Sequence, residues 1–367
     1  MATKRATKIR NNQQPLAFFA KQLEREQPLA QATARRLYQL SLALATLKPW
    51  NFVGDGEIFL VEDPVSEQTC YCSIMGALGE VLSLHVYIGP DSYRLLRKVL
   101  AGKKVSPGEF FAAHRGVSVE FVHAPELTPA DRVLLKHFKH PLGNRMMAPI
   151  FRALRPGYHP WYVAEPEAVL LARCMEAALV LCDVLLRNPD ADYWQQDDVF
   201  PLVAPKDDDG PRQSFKLIQV RAPVPQAAPL VPPPLDEARL ARILANDYSQ
   251  QGAVEADYFY TRGVIGEAHQ RKVILPMALV TDAESGFLFK PEMGTPAQSQ
   301  GETLICAVMS AIESGRRMPR EIRVRQSEFK TLLEPLAGRF GIAVIVAKSL
   351  PEIDRAKKAF LAMMEGR

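Results

Sequence analysis

The chain has 367 residues, of which 47% are apolar and 23% charged, and a formal net charge of +4. That length exceeds what one hydrophobic core usually serves, so two domains are expected, and the composition is that of an ordinary soluble globular chain. So mild a positive charge excludes composition as an argument for a nucleic-acid or anionic-membrane binder.

Residues 1–20 form a basic, polar tail and are expected to be disordered. Lys4, Arg5, Lys8 and Arg10 are its phosphate-contacting candidates, and no secretory apolar core follows the basic residues. A first domain is expected over 21–222. It opens with a helix over Gln31–Leu47, ended by Pro49, and Trp50 and Phe52 follow as core anchors. Three strands are expected at Glu57–Glu62, Gln68–Met75 and Glu80–Ile88, joined by DPVSE and GALGE. A helix over Pro90–Leu100 and an alternating strand over Val117–His123 come next. Thr128-Pro129 then places an N-cap and a first-turn proline at the start of another helix. The segment MAPIFRALRPGYHPWYV reads as strand, turn and extended chain. The apolar helix Glu165–Arg187 carries Arg173, Glu176 and Asp183, which leaves no charge-free run near the ~20 residues of a membrane span. Strands Val199–Ala204 and Ser214–Arg221 close the domain around the acidic loop KDDDG.

The stretch Ala222–Pro234 holds six prolines in thirteen residues. Proline fixes φ and lacks a donor, so a linker is expected over 223–235. The second domain, 236–367, reads as helix Asp236–Asp247, then strand Val254–Ile265, strand KVILPMALVTD and strand GFLFKPE. Helix Ser299–Ser314, strand Glu321–Arg325, helix Glu328–Phe340, strand Ile342–Ala347 and helix Pro351–Met364 complete it, with Gly341 as a C-cap. The expected fold class is therefore α+β: a mixed α/β sheet domain followed by a βββαβαβα domain.

The five cysteines, Cys70, Cys72, Cys174, Cys182 and Cys306, form no C-x-x-C pair and lie in strand or apolar helical runs. They read as free thiols in a reducing, cytoplasmic compartment. Of seven histidines only His137 and His140, in HFKH, have ligand-like helical spacing, and no Cys or acidic cluster adjoins them. GALGE lies between strands and reads as a hairpin turn rather than a phosphate loop. YIGPDSYRLL runs from strand to helix, but Asp91 opposes an anion there. The acidic stretches DADYWQQDD and KDDDG match no EF-hand spacing. No G-x-S-x-G elbow occurs. No cofactor and no metal are expected.

The strongest charge feature is Arg316, Arg317, Arg320, Arg323 and Arg325, with only Glu321 inside it. Guanidinium groups suit phosphates and carboxylates, so the cluster offers a surface for nucleic acid or an acidic protein partner. The other reading is a solvated edge neutralised by acids such as Glu313 and Glu328. No aromatic is interleaved, so base stacking is not indicated.

The second-domain element order, with VEADYFY, ALVTDAESGFLF, MPREIRVRQSEF and FGIAVIVAKSLPEID, resembles the ribonuclease-H-like fold of integrases and transposases. The resemblance implies a metal-binding acid at Asp257, a second acid where Arg325 stands, and a third at Glu352 or Asp354. Two-metal phosphoryl transfer needs converging carboxylates, and a guanidinium at the second position repels a cation. The acidic triad is therefore degenerate. The whole chain also looks like an uncharacterised bacterial two-domain family, through Trp50, Phe52, Tyr71, Met75, Gly76, Gly79, Glu80, Val86, Tyr87 and Gly89. That resemblance implies no activity. The expected function is a non-catalytic binding or interaction module. Its rivals are a metal-dependent nucleic-acid-processing enzyme and a hydrolase site between the domains that uses a first-domain histidine.

Overall fold

A computed structural model of the chain describes residues 29–63, 65–105, 109–110, 113–138, 147–205, 215–222, 230–266 and 270–364. The basic tail, the KDDDG loop, residues 223–229 of the proline-rich stretch, His140 and His269 lie outside the described residues. Two sheets, each with its own core, account for the remainder.

The first region opens with helix α1 (Gln31–Leu47), followed by strands β1 (Phe59–Glu62), β2 (Thr69–Met75) and β3 (Leu82–Ile88). Helix α2 (Gly89–Leu100), strand β4 (Gly116–His123), helix α3 (Pro129–His137) and strand β5 (Met147–Leu154) come next. Helix α4 (Glu165–Arg187) and strands β6 (Val199–Pro205) and β7 (Phe215–Arg221) complete it. The seven strands lie in the order β5-β4-β3-β2-β1-β6-β7, all antiparallel except β1 beside β6.

Alternation in LSLHVYI sends Leu84, Val86 and Ile88 to one face, where α1 and α4 cover them, and Ser83, His85 and Tyr87 to the other. Part of that second face packs under α2 through Tyr71, Tyr87, Tyr93 and Leu96. Thr128 caps α3 as its sequence suggests: its hydroxyl accepts from Asp131 N at 3.1 Å, and Asp131 accepts in return from Thr128 N. Gly76 and Gly79 take positive φ in the β2–β3 connection. Of the two expected anchors, Trp50 packs against the core and lies 5.3 Å from the Phe121 ring, whereas Phe52 is exposed. A one-turn 3-10 helix, Pro49–Asn51, ends just before Phe52 and turns it outward.

The second region comprises helix α5 (Glu237–Leu244), strands β8 (Ala253–Ile265), β9 (Val273–Asp282) and β10 (Glu292–Met293), and helix α6 (Gln300–Gly315). Strand β11 (Glu321–Val324), helix α7 (Ser327–Phe340), strand β12 (Ala343–Val346) and helix α8 (Pro351–Met364) follow. Its sheet runs β10-β9-β8-β11-β12, with β8, β9 and β10 mutually antiparallel and β11 and β12 parallel to β8. The expected strand GFLFKPE is broken. Leu288 makes an isolated bridge to Thr281, and the ladder resumes only at Glu292–Met293. Pro291, with no N–H, interrupts it. Gly341 closes α7 in the left-handed region, and Ser299 and Glu302 cap α6 reciprocally.

The two regions touch. Tyr158 bridges Val273, His159 N donates to Lys272 O at 2.8 Å, and Ile274 N donates to Gly157 O at 3.0 Å. Arg271, with a side chain only 6% exposed, donates to Ala153 O at 3.2 Å and lies 3.8 Å from Glu167, which also pairs with Arg155. An isolated antiparallel bridge and a two-arginine clasp on Glu167 thus join them.

Candidate functional site

Strands β8 and β11 run side by side with Arg323 opposite Glu255 and Val324 opposite Ala256. The next step along the parallel register brings Arg325 beside Asp257. By period two, Glu255, Asp257 and Phe259 share one face of β8, and α8 packs across that face.

Asp257 is 2% exposed. Its Oδ2 accepts from Lys357 Nζ at 3.2 Å and lies 3.9 Å from Arg325 Nε; its Oδ1 accepts from Tyr258 N at 3.0 Å. The Lys357 ammonium also sits 4.1 Å from the centre of the Phe259 ring, a cation–π contact. Arg325 reaches across to Asp354 on α8, with Nη2 to Oδ1 at 2.5 Å. That hydrogen bond raises the arginine pKa against the opposing effect of burial, and the charges of Asp257 and Glu255 add to it. Two carboxylates and two cations therefore balance within the cluster.

Beside them Glu255, itself buried, accepts from Glu352 N and Ile353 N at 2.9 Å each. It caps the first turn of α8, where free amides and the helix dipole favour a negative charge. Glu352 turns its own carboxylate to Arg355, 2.8 Å away but without hydrogen-bond alignment.

The structure thus brings Asp257, Arg325 and Asp354 together and directs Glu352 elsewhere. Lys357 occupies the space in front of Asp257. A divalent ion at that oxygen would have to displace an ammonium and face a guanidinium. Among the described residues no group of three or more His, Cys, Asp or Glu side chains is placed to hold a metal ion. The sequence reading did not single out Lys357 or Glu255. Their signals were present: Lys357 sits between Ile353 and Phe360 on the apolar stripe of α8, and Glu255 sits two residues before Asp257.

The five arginines do not form one cationic surface. Arg317 pairs with Asp282, Arg323 with Glu321 at 2.5 Å, and Arg325 with Asp354 and Asp257. Arg320 donates to the Gln250 carbonyl at 3.1 Å, and Arg316 takes the left-handed C-cap position of α6. Both are exposed, and among the described residues neither has a carboxylate partner. The expected neutralising acids are engaged elsewhere: Glu313 pairs with Arg239, and Glu328 accepts from Ser327 Oγ. Burial raises the Asp282 pKa, but the Ser285 hydrogen bonds and Arg317 outweigh it and hold the carboxyl below its usual range.

A second polar cluster lies on the first sheet. The rings of His85 and His114 are 4.8 Å apart, and His114 stacks on Tyr87 at 4.6 Å and meets Phe110 edge-on at 4.7 Å. His85 is half-buried with its Nε2 enclosed, and His114 is fully buried. Loss of solvation lowers the His85 pKa to about 4. The same cause, with the His85 charge adding, lowers that of His114 to about 2, and the Val86 carbonyl opposes it without forming an aligned hydrogen bond. Among the described residues Ser83 Oγ, His85 Nε2 and both ring nitrogens of His114 have no hydrogen-bond partner, so these groups form no nucleophile–base pair with one another. His114 fits because residue 116 is glycine: a Cβ there would lie 2.6 Å from His114 Nε2 and 2.1 Å from Val86 O.

Residues 35–201 match the model of a family described as a domain of unknown function (DUF7309), and residues 239–361 match that of another, also a domain of unknown function (DUF6930). The two matches fall on the two sheets and fit a two-domain layout. No curated protein matches the chain. Among the described residues no helix is long and apolar enough to cross a membrane.

Proposed function

We propose that the second domain is a ribonuclease-H-like scaffold that binds a partner and performs no metal-dependent phosphoryl transfer. The strand order β10-β9-β8-β11-β12, antiparallel for the first three strands and parallel for the last two, supports the fold assignment. The observation that carries the functional reading is Lys357 Nζ at 3.2 Å from the buried Asp257 Oδ2, with Arg325 on the other side. Side-chain cations fill the position that the resemblance gives to metal, and the degenerate triad is Asp257, Arg325 and Asp354, with Glu352 turned away. Within the basic cluster, Arg316 and Arg320 are the residues open to an acidic protein or nucleic acid. Domain limits of 21–222 and 236–367 about a linker at 223–235 belong to the same reading. So does a cytoplasmic location, supported by five free cysteines, four of them buried.

The test is thermal unfolding and calorimetric titration with Mg²⁺ and Mn²⁺. The native chain is expected to show no shift in melting temperature and no binding heat. The double variant Arg325→Asp, Lys357→Ala, which leaves three acids around the same point, is expected to gain a Mn²⁺-dependent rise. A metal-dependent rise in the native chain, removed by Asp257→Asn, would overturn the proposal. A salt titration of duplex and single-stranded binding separates the partner classes, since nucleic-acid affinity must fall steeply with salt.

A further inference from the structure

Among the described residues strand β12 is the last strand of its sheet and pairs only with β11. Ala343 N donates to Arg320 O and Ala347 N to Val324 O, so residues 343, 345 and 347 turn their backbone groups inward. By alternation, the N–H and C=O of Val344 and Val346 point away from the sheet. Natural edge strands are usually blunted by charge, proline or a bulge. Here Gly341–Ala347 reads GIAVIVA, with no charge and no proline, and β12 pairs with β11 in unbroken register. Ile345 is 42% exposed and Val346 45%.

We infer that β12 is a self-association edge, at which two copies of this chain pair antiparallel about a two-fold axis through Ile345. The register is self-complementary. A dyad at Ile345 sets Val344 against the second copy's Val346, and the reverse, so the outward N–H and C=O groups of both residues bond reciprocally. Ile345 then faces its own copy at the close, non-hydrogen-bonded position. Ala343 meets Ala347, and Ile342 meets Lys348, so no like charges stand opposite each other, a pairing that would be destabilising. The nearest repeated charge on this face, Arg323, would lie three strand spacings from its copy, about 14 Å. That exceeds the screening length of about 8–10 Å in physiological salt, and Arg323 is already paired with Glu321. Pairing would join two five-stranded sheets into one and cover the exposed faces of Ile345 and Val346. An unrelated extended peptide would satisfy the same backbone groups, but a second copy also sets valine against valine and isoleucine against isoleucine with no like charges opposed.

The test uses the full chain. Sedimentation equilibrium over a dilution series is expected to give a mass rising from one chain toward two. Val346→Pro removes an outward donor that β11 does not use, so it is expected to melt cooperatively like the native chain and to stay monomeric. Ile345→Cys is expected to form an intermolecular disulfide across the dyad under mild oxidation by a copper–phenanthroline complex, visible as a doubled mass on a non-reducing gel. Val169→Cys, exposed on α4 of the first domain, is the control and is expected to remain single. A native chain that stays monomeric at every concentration, or an Ile345→Cys variant that cross-links no more than the control, overturns the inference. So does a dimer that Val346→Pro leaves intact.

Discussion

Both domains bury polar side chains beneath one face of a sheet, and they do so by opposite means. In the first domain the patch around His114 is neutral: Ser73, Ser83, His114 and Ser118 are buried there beside the half-buried His85. Loss of solvation lowers the pKa of both histidines, and the charges Glu120 and Arg152 stand at the margin of the patch, held by Ser118 Oγ and by Asp131. The second keeps its charges and pairs them: Glu255 by the amides of α8, Asp257 by Lys357 and Arg325. A buried charge is tolerated only when paired and hydrogen-bonded, whereas a neutral imidazole costs less to leave unbonded. The two faces should therefore respond to different perturbations.

Acid is the sharpest way to separate them. Both histidines have folded-state pKa values below the unfolded value of about 6.5. The unfolded chain thus binds protons first, and stability is fully present above about pH 6.5 and falls as pH drops toward 4. At one pKa unit per 1.4 kcal/mol, each histidine costs about 2 kcal/mol between pH 6.5 and 5, or about 4 kcal/mol together. Denaturant unfolding of the native chain and of His114→Phe at the two pH values checks this. Equal losses in both proteins would break the comparison.

A smaller effect is expected in the second domain, and from charge rather than pH. Lys357→Met keeps the stem packed on Phe259 but leaves the more distant Arg325 as the cation beside Asp257. Breaking a buried pair costs about 3–5 kcal/mol, and because Lys357 is 26% exposed we expect about 2 kcal/mol. Adding Asp257→Asn should recover part of the loss, and a double-mutant cycle reads that coupling. An additive cycle would mean that the ammonium contributes packing alone.

The clasp between the regions should give the smallest change in free energy. Arg271→Ala removes a donor to Ala153 O and a charge near Glu167, for about 1 kcal/mol. Differential scanning calorimetry is expected to show one native transition broadening or splitting into two. An unchanged profile would mean that the bridge through Gly157–His159 suffices.

Much of the secondary structure was legible beforehand. The bounds of Gln31–Leu47, Glu165–Arg187 and Pro351–Met364 agree with the expected helices, because apolar period and flanking proline are local signals. Phe52 and the broken GFLFKPE strand were misread for local reasons too: a short 3-10 turn reorients one ring, and a proline interrupts one ladder. The site was half legible. Asp257, Arg325 and Asp354 were singled out and do meet. Lys357, Glu255, His85 and His114 did not stand out, since a lysine in an apolar stripe or a histidine in an alternating strand gains meaning only from what lies across from it.

By itself the sequence determined the element types, the two cores and the presence of a permanent cation at position 325, since these follow from backbone period, side-chain volume and a guanidinium that does not lose its proton. Tertiary structure alone decided which acid each arginine meets, that β1 lies parallel to β6, and that β12 is left as an edge. Most of those depend on pairing between residues far apart in the chain, as Asp257 and Lys357 are and, farther still, Leu60 and Leu202, and no local pattern encodes a partner at that separation.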